Sequence, residues 1–548
     1  MMMFAPTRHR CNTMHAPMSQ RAAHRGSVVV VVVWAVAVAA VLVSATQIVT
    51  FRQAVVGRET LARVQARWAA RAGMEQMVAI MEFHLQNADP DDPMAVVRDM
   101  EEHATGTTAT GSWDIRHFLD GLEWAGPLDE GAKLNINVAT SVQLTNIPNM
   151  TPDVVDAIVD WRDADDNVQG LGAESDYYSN RSLGYKPRNG NFRSFAELEL
   201  VAGAWPLYVR GEDWNLNGRL DPNENDGNKS FPNDKPDGKL DGGWSKFLTA
   251  TSVQSPMSLS GEDKLPLKGA DPESLTKRLG IDAEQAKALT AYGNQPNAKP
   301  EALIATPLSQ LSAGGTGGSS GTTGGASGST GGKTGGSTTG GGSTSGGRGT
   351  GGGGGGGGGG SSGGMAVSTG GGAQSVSGGA AGGRGSTSAG GSSSAGGGSS
   401  GRSSSGRSSG GASGASAVAD LTNAQLRAVL RETTADDFTK PVPGRMNINT
   451  VPDSVLKEVL EIDPRLADAI IARRRAKPEG ITSLADLSDM SGINPTVLTQ
   501  LATQFDVTSS VYTVTSRGRA ASTGAEVEIE AVVDKSQLPA KIISYREQ

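Results

Sequence analysis

The chain has 548 residues, with 76 glycines, one cysteine, 5% aromatic residues and a formal net charge of −8 at a pI near 5.5. Its length predicts roughly three or four domains, and its acidity argues against a nucleic-acid protein. The lone Cys11 excludes a disulfide scaffold and a thiolate zinc site.

Residues 1–25 carry Arg8, Arg10, Arg21 and Arg25 and no acid, and no charge occurs from Gly26 to Phe51. That uncharged run makes a helix of about 39 Å at 1.5 Å per residue, longer than the ~30 Å hydrocarbon core of a bilayer. Three readings of it stay open. A cleaved secretory signal needs a small-residue site near Ser44 or Ala45, where the pattern is loose. A plain anchor needs nothing more. The third reading rests on His24-Arg25-Gly26, where a basic leader ends in Gly against the apolar run. That junction resembles type IV prepilins and pseudopilins, which prepilin peptidase cuts after the Gly. Processing between Gly26 and Ser27 would leave residues 1–26 as leader and 27–51 as membrane helix.

Helical spacing continues past Phe51. Met74, Met77, Val78, Met81 and Leu85 form one stripe, and Arg63, Arg67 and Arg71 another, with Glu59 placed to pair with Arg63. An amphipathic helix and a first strand, Trp113–Phe118, are expected within 52–132.

A repeat follows. Residues 133–162 and 445–474 align, matching Asn135 and Asn137 to Asn447 and Asn449, Pro152 to Pro464, and Asp156-Ala157-Ile158 to Asp468-Ala469-Ile470. A weaker copy, 264–293, lacks the Asn-x-Asn. Each copy reads as an extended lead-in, a short helix, a turn and a second helix. The units are expected at 133–203, 261–311 and 417–506. A DNA-binding helix-hairpin-helix would grip phosphate through a Gly-hydrophobic-Gly turn. Here the turns are Asn149-Met150-Thr151, Gly280-Ile281-Asp282 and Glu461-Ile462-Asp463. Two lack both glycines and two hold acids, which repel phosphate, so a packing scaffold that binds no nucleic acid is expected.

Within the insert 204–260, Asp213 to Glu224 satisfies the pattern D-x-[DN]-x-[DN]-G-x5-E. Hard cations need several oxygens around one point. Asp213, Asn215 and Asn217 would supply side-chain oxygens and Arg219 its carbonyl. Asp221 would act directly or through water, and Glu224 would close the site with two oxygens. Calcium is the expected ion, in an isolated loop, because Pro222 and Gly227 break any flanking helix pair. Asp237 and Asp241 suggest a partial second loop, with a solvated turn as the alternative. Asp163, Asp165, Asp166, Glu174 and Asp176 form a third acidic cluster, which either an ion or solvent must separate.

Well over half of the glycines lie between 312 and 416, among Ser and Thr. Such a tract cannot offset its ordering entropy by burial, so a disordered linker is expected there. Strands are expected at Val511–Thr515, Glu526–Val533 and Lys541–Tyr545, in the region 507–548. No nucleophile motif, phosphate loop or His-based zinc pattern occurs in the sequence, so no catalytic role is expected.

The leader junction, the anchor, the repeated helical units and the terminal strands together resemble the K-type minor pseudopilin of the type II (general) secretion pathway. Two features carry this beyond the general pilin pattern. Most pseudopilins have Glu at the fifth mature position, where this chain has Val31, and the K-type lacks that Glu and carries a large inserted helical domain. The segment 161–178 also resembles K-type pseudopilins, and that resemblance implies calcium in the helical domain. The implied fold is α+β: a pilin-like N-terminal transmembrane helix with a small antiparallel sheet, plus a large inserted all-α domain of helix-hairpin-helix/SAM-like units. The implied role is a tip subunit of the pseudopilus, partnered by I- and J-type minor pseudopilins and processed by prepilin peptidase. It would sit in the inner membrane as a single-pass protein with a cytoplasmic N-terminus and a periplasmic bulk, meeting secreted substrate or the outer-membrane channel. The alternatives are a membrane-anchored calcium-dependent adhesin or substrate receptor, and a DNA-uptake receptor.

Overall fold

A computed structural model of the chain describes residues 23–181, 184–313, 418–460, 462–490 and 493–548. The leader up to residue 22 and the Gly/Ser tract lie outside the described residues.

A single helix, Ala23–Gln86, joins the apolar run to the amphipathic stretch without a break. It is long and apolar enough to cross a membrane, and its apolar segment is exposed among the described residues. Arg63 pairs with Glu59 at 3.1 Å on the exposed side. Met74, Met77 and Met81 are buried as the periodicity requires, together with Ala62, Ala66, Ala69 and Ala70. The alanines let the helix lie close on a seven-stranded antiparallel sheet. Its main strands run in the order Thr105–Thr108, Gly111–Leu119, Val511–Ala520, Glu526–Asp534 and Lys541–Glu547. The anticipated strands are all present. A short helix, Ala95–Glu102, with Val96 and Met100 buried, and the small strands Leu122–Ala125 and Leu128–Asp129 add to them.

The three helical units lie between strand 111–119 and strand 511–520, which pair directly. Each unit closes the same way, by two residues of parallel pairing. Leu134–Asn135 pairs with Leu248–Thr249, Leu265–Pro266 with Thr433–Thr434, and Met446–Asn447 with Phe505–Asp506. This closure corrects the boundaries. Helix Asn423–Glu432 precedes the second unit's closing strand and buries Val429 in that unit's core. It belongs to the second unit, so the Gly/Ser tract interrupts that unit and does not separate it from the third. The insert after 204 likewise sits inside the first unit, ahead of its closing strand. Its ends meet: the Glu212 N–H donates to the Asp241 carbonyl at 2.7 Å.

The repeated residues have repeated tasks. Asn137 accepts from the Phe192 N–H at 2.7 Å, as Asn449 accepts from Ile481 at 2.8 Å. Arg162 donates to the Ile136 and Ala139 carbonyls, as Arg474 donates to those of Ile448 and Val451. The first and third units share one hydrophobic core, while the second has its own.

The tightest joint is between helix and sheet. A Cβ at Gly518 would lie 2.0 Å from the Ala66 carbonyl oxygen and 2.3 Å from the Ala70 nitrogen. Both are backbone atoms of a packed helix and cannot yield locally. Gly518→Ala is therefore expected to destabilise the protein by about 1–3 kcal/mol, read as a lower midpoint in thermal unfolding. An unchanged midpoint would show that the joint is looser than described.

Candidate metal centres

The loop 213–224 is a tight turn in which Asn215 Nδ2 and Asn217 Nδ2 donate to Asp221. Gly218, with φ of 67°, makes the sharp turn. The Asp213 carboxylate accepts the Asn217 and Gly218 N–H groups, both at 3.0 Å. Asn215 accepts from Asn217 and Asn217 from Arg219. Glu224 reaches back to the N–H groups of Trp214 and Asp221. The loop is fastened to the sheet: Phe118 N–H donates to the Gly218 carbonyl at 2.7 Å, Thr515 Oγ1 to that of Asn217 at 2.9 Å, and Asn217 Nδ2 to Glu528 at 2.8 Å. The Arg219 side chain leaves the loop for Asp114, and Asp221 pairs with Arg517 at 2.5 Å.

Asp213 and Glu224 are almost fully buried, 3% and 1% exposed, and neither has an ion-pair partner among the described residues. Burial pushes Asp213 up to about 7, against the pull of the Gly218 and Asn217 N–H groups. Burial, then the neighbouring Asp213 charge, pushes Glu224 up to about 8. Two such carboxylates side by side call for a cation.

The partial second loop gathers no such pair. Asp241 is held by Lys246 at 3.0 Å, and Asp237 accepts the Lys239 N–H within its own turn. Both acids already have partners, as in the solvated-turn reading.

The third cluster converges, but not on all the expected residues. Asp163 and Glu174 come together with Asp160, their three ligand oxygens all within 4.8 Å of one another. Asp165, Asp166 and Asp176 lie outside this group. Asp165 turns its carboxylate to Asn167, Asp166 bonds Ser175 and Asn189, and Asp176 is exposed in the first turn of helix Ser175–Asn180. Asp160 is fully buried and Glu174 is 2% exposed. Asp160 Oδ2 and both Glu174 carboxylate oxygens have no hydrogen-bond partner. Burial, then the charge of Asp160 and its acidic neighbours, raises Glu174 to about 7. Gly172 lets the loop close over Asp160, since a Cβ there would lie 2.1 Å from Oδ2. Three unpaired, buried carboxylate oxygens are of the kind that a hard cation takes. Sequence reasoning missed Asp160, although its i, i+3 spacing to Asp163 at the end of helix Pro152–Arg162 was a usable signal.

Comparison with known proteins bears on this region. Residues 134–210 match the family model described as type II secretion system (T2SS), protein K. Over these residues the chain is similar to that type II secretion component. Residues 444–506 match the helix-hairpin-helix motif. A chain of the GspK-GspI-GspJ complex from the enterotoxigenic Escherichia coli type 2 secretion system is similar at 10% identity and a TM-score of 0.35, covering 88% of this chain and 96% of that one. No curated protein matches the chain significantly.

The raised carboxylates fix the sign of a pH effect. In chelator, the folded state holds protons on Asp213, Glu174 and Glu224 that the unfolded chain releases near pH 4. Their contribution is present at low pH and lost as pH rises through about 7 to 8. The thermal midpoint in chelator is expected to fall between about pH 4 and 8, and calcium to raise it most at the alkaline end. Glu174→Gln, which mimics the protonated acid, should flatten the slope in chelator and weaken calcium binding by about tenfold or more in calorimetry. Identical melting curves with and without chelator would contradict both sites.

Proposed function

We propose that this chain is a minor pseudopilin at the tip of the type II secretion pseudopilus, where it nucleates assembly and supports protein export across the outer membrane. The carrying observation is the protein K match over residues 134–210. The build of the molecule supports it. A long helix with an apolar half lies on a small sheet, and a bulky helical domain is inserted between two strands of that sheet. Such bulk would clash within a helical shaft and is accommodated where no subunit sits above. Val31, apolar and exposed on the helix, spares the anchor a carboxylate that would need a partner in lipid.

On this reading prepilin peptidase cuts between Gly26 and Ser27. The N-terminus is cytoplasmic, the helix crosses the inner membrane once, and the bulk is periplasmic. I- and J-type minor pseudopilins are the partners, by analogy with the complex in which the similar chain was solved. The tip would meet secreted substrate or the outer-membrane channel. The role is mechanical and not catalytic. Calcium, held by Asp160, Asp163 and Glu174 and by the 213–224 loop, compensates acids buried in the first unit. It thereby keeps the loops between its helices in shape.

Nucleic acid has no place in this reading. Two acids of the hairpin turns are helix caps: Asp463 accepts from the Arg465 N–H at 2.9 Å, and Asp282 from the Gln285 N–H at 2.7 Å. Donors that would face phosphate are already taken, beside a negative charge.

Detergent-solubilised membranes provide the test. The full chain, tagged at its C-terminus, is expected to co-purify with the I- and J-type pseudopilins of the same cell, and its deletion to leave type II substrates in the periplasm. Normal export in the deletion strain would overturn the proposal.

A further inference from the structure

Asp221 stands where the pattern of the 213–224 loop places a third acid beside the ion, yet its carboxylate is already taken. Its Oδ2 accepts the side-chain amides of Asn215 and Asn217 at 2.9 and 3.0 Å, and its Oδ1 meets Arg517 Nη2 at 2.5 Å. Arg517 lies in strand Val511–Ala520, directly across from Glu528 on one neighbouring strand and from Asp114 on the other. The same guanidinium holds Glu528, through Nε at 3.1 Å and Nη2 at 2.8 Å. Asn217 Nδ2 also donates to Glu528, at 2.8 Å, and Arg219 of the loop binds Asp114 at 2.9 Å. Loop and sheet thus share one ion-pair network with Arg517 at its centre. The Arg517 and Asp221 side chains are only 24% and 15% exposed, so salt screens this pair little.

Loops of this kind tune their calcium affinity by the number of charged ligands and by rigidity. With Asp221 engaged, the charged ligands that remain are the buried Asp213 and Glu224. Their two charges balance one divalent ion. Lys133 acts on Asp213, whereas Arg517 is the cation that holds Asp221.

We propose, resting on the calcium reading of this loop, that Arg517 is a positioning residue for its cation. It keeps Asp221 on the sheet and out of the ion's shell, and so sets a low calcium affinity. Its planar fork grips Asp221 and Glu528 at once, which the point charge of a lysine matches poorly. Once Arg517 is removed, Asp221 is free to turn to the ion as a third carboxylate.

The test is calorimetric titration of calcium into the full chain in detergent micelles. All chains carry Glu174→Gln, which weakens the other acidic group, and circular dichroism verifies the fold. Arg517→Gln should bind calcium about tenfold more tightly or better. Arg517→Lys, which leaves a cation beside the two acids and so spares the fold, should show a smaller gain in the same direction. Arg517→Gln/Asp221→Asn should return to within about threefold of the parent, because it removes the freed ligand as well. A merely damaged loop binds more weakly, so the direction of the change separates a positioning role from a structural one. Unchanged or weaker binding by folded Arg517→Gln and Arg517→Lys, or a gain that persists in the double variant, would overturn the proposal while leaving the calcium reading intact. Binding by none of the chains, or binding that survives Glu224→Gln undiminished, would overturn the calcium reading of the loop and the role of Arg517 with it.

Discussion

The architecture depends on chain ends that meet. Each helical unit leaves and returns to one place through two residues of parallel pairing, as Met446–Asn447 does with Phe505–Asp506. Strand 111–119 can therefore lie beside strand 511–520 as though little stood between them. The entropy of closing a loop grows only slowly with its length, about 0.6 kcal/mol per doubling. Insertions are tolerated wherever both ends return to one point. The same logic applies one level down, where residues 212–241 leave and re-enter the first unit across one hydrogen bond.

Attachment of the helical domain to the sheet is polar and specific. Asp129, in a short strand of the sheet, accepts from Asn447 and Thr450 of the third unit at 3.0 and 2.6 Å. The 213–224 loop reaches the sheet from the first unit through Thr515, Phe118 and Glu528. A cation in that loop would thus hold both the insert and its seat on the sheet. The acidic residues are costly without one. Buried carboxylates repel each other and shed their charge by taking up protons, the direction in which burial pushes Glu174, Asp213 and Glu224.

Much of this was legible in the sequence, for physical reasons. The long helix and terminal strands follow from periodicity. The Asn-x-Asn and terminal Arg of two repeats are visible because both copies need the same buried amide and guanidinium bonds. The second copy lost its Asn pair and, with it, the signal that would have marked its closure. Two-residue strands carry no periodicity, so the membership of helix 423–432 could not be read across the Gly/Ser tract. The 213–224 turn was legible because the hydrogen bonds that shape it span only a few residues. The buried acidic group was only half legible, because Asp160 comes from a helix and Glu174 from beyond a loop. Asp237 and Asp241 fit part of a pattern, yet lysine and the backbone claim them.

The most direct measurement of the central claim is the N-terminus of the protein recovered from cell membranes, by mass spectrometry. A membrane pseudopilin begins at Ser27. A chain that keeps its leader, or one cut near Ala45, would contradict the account.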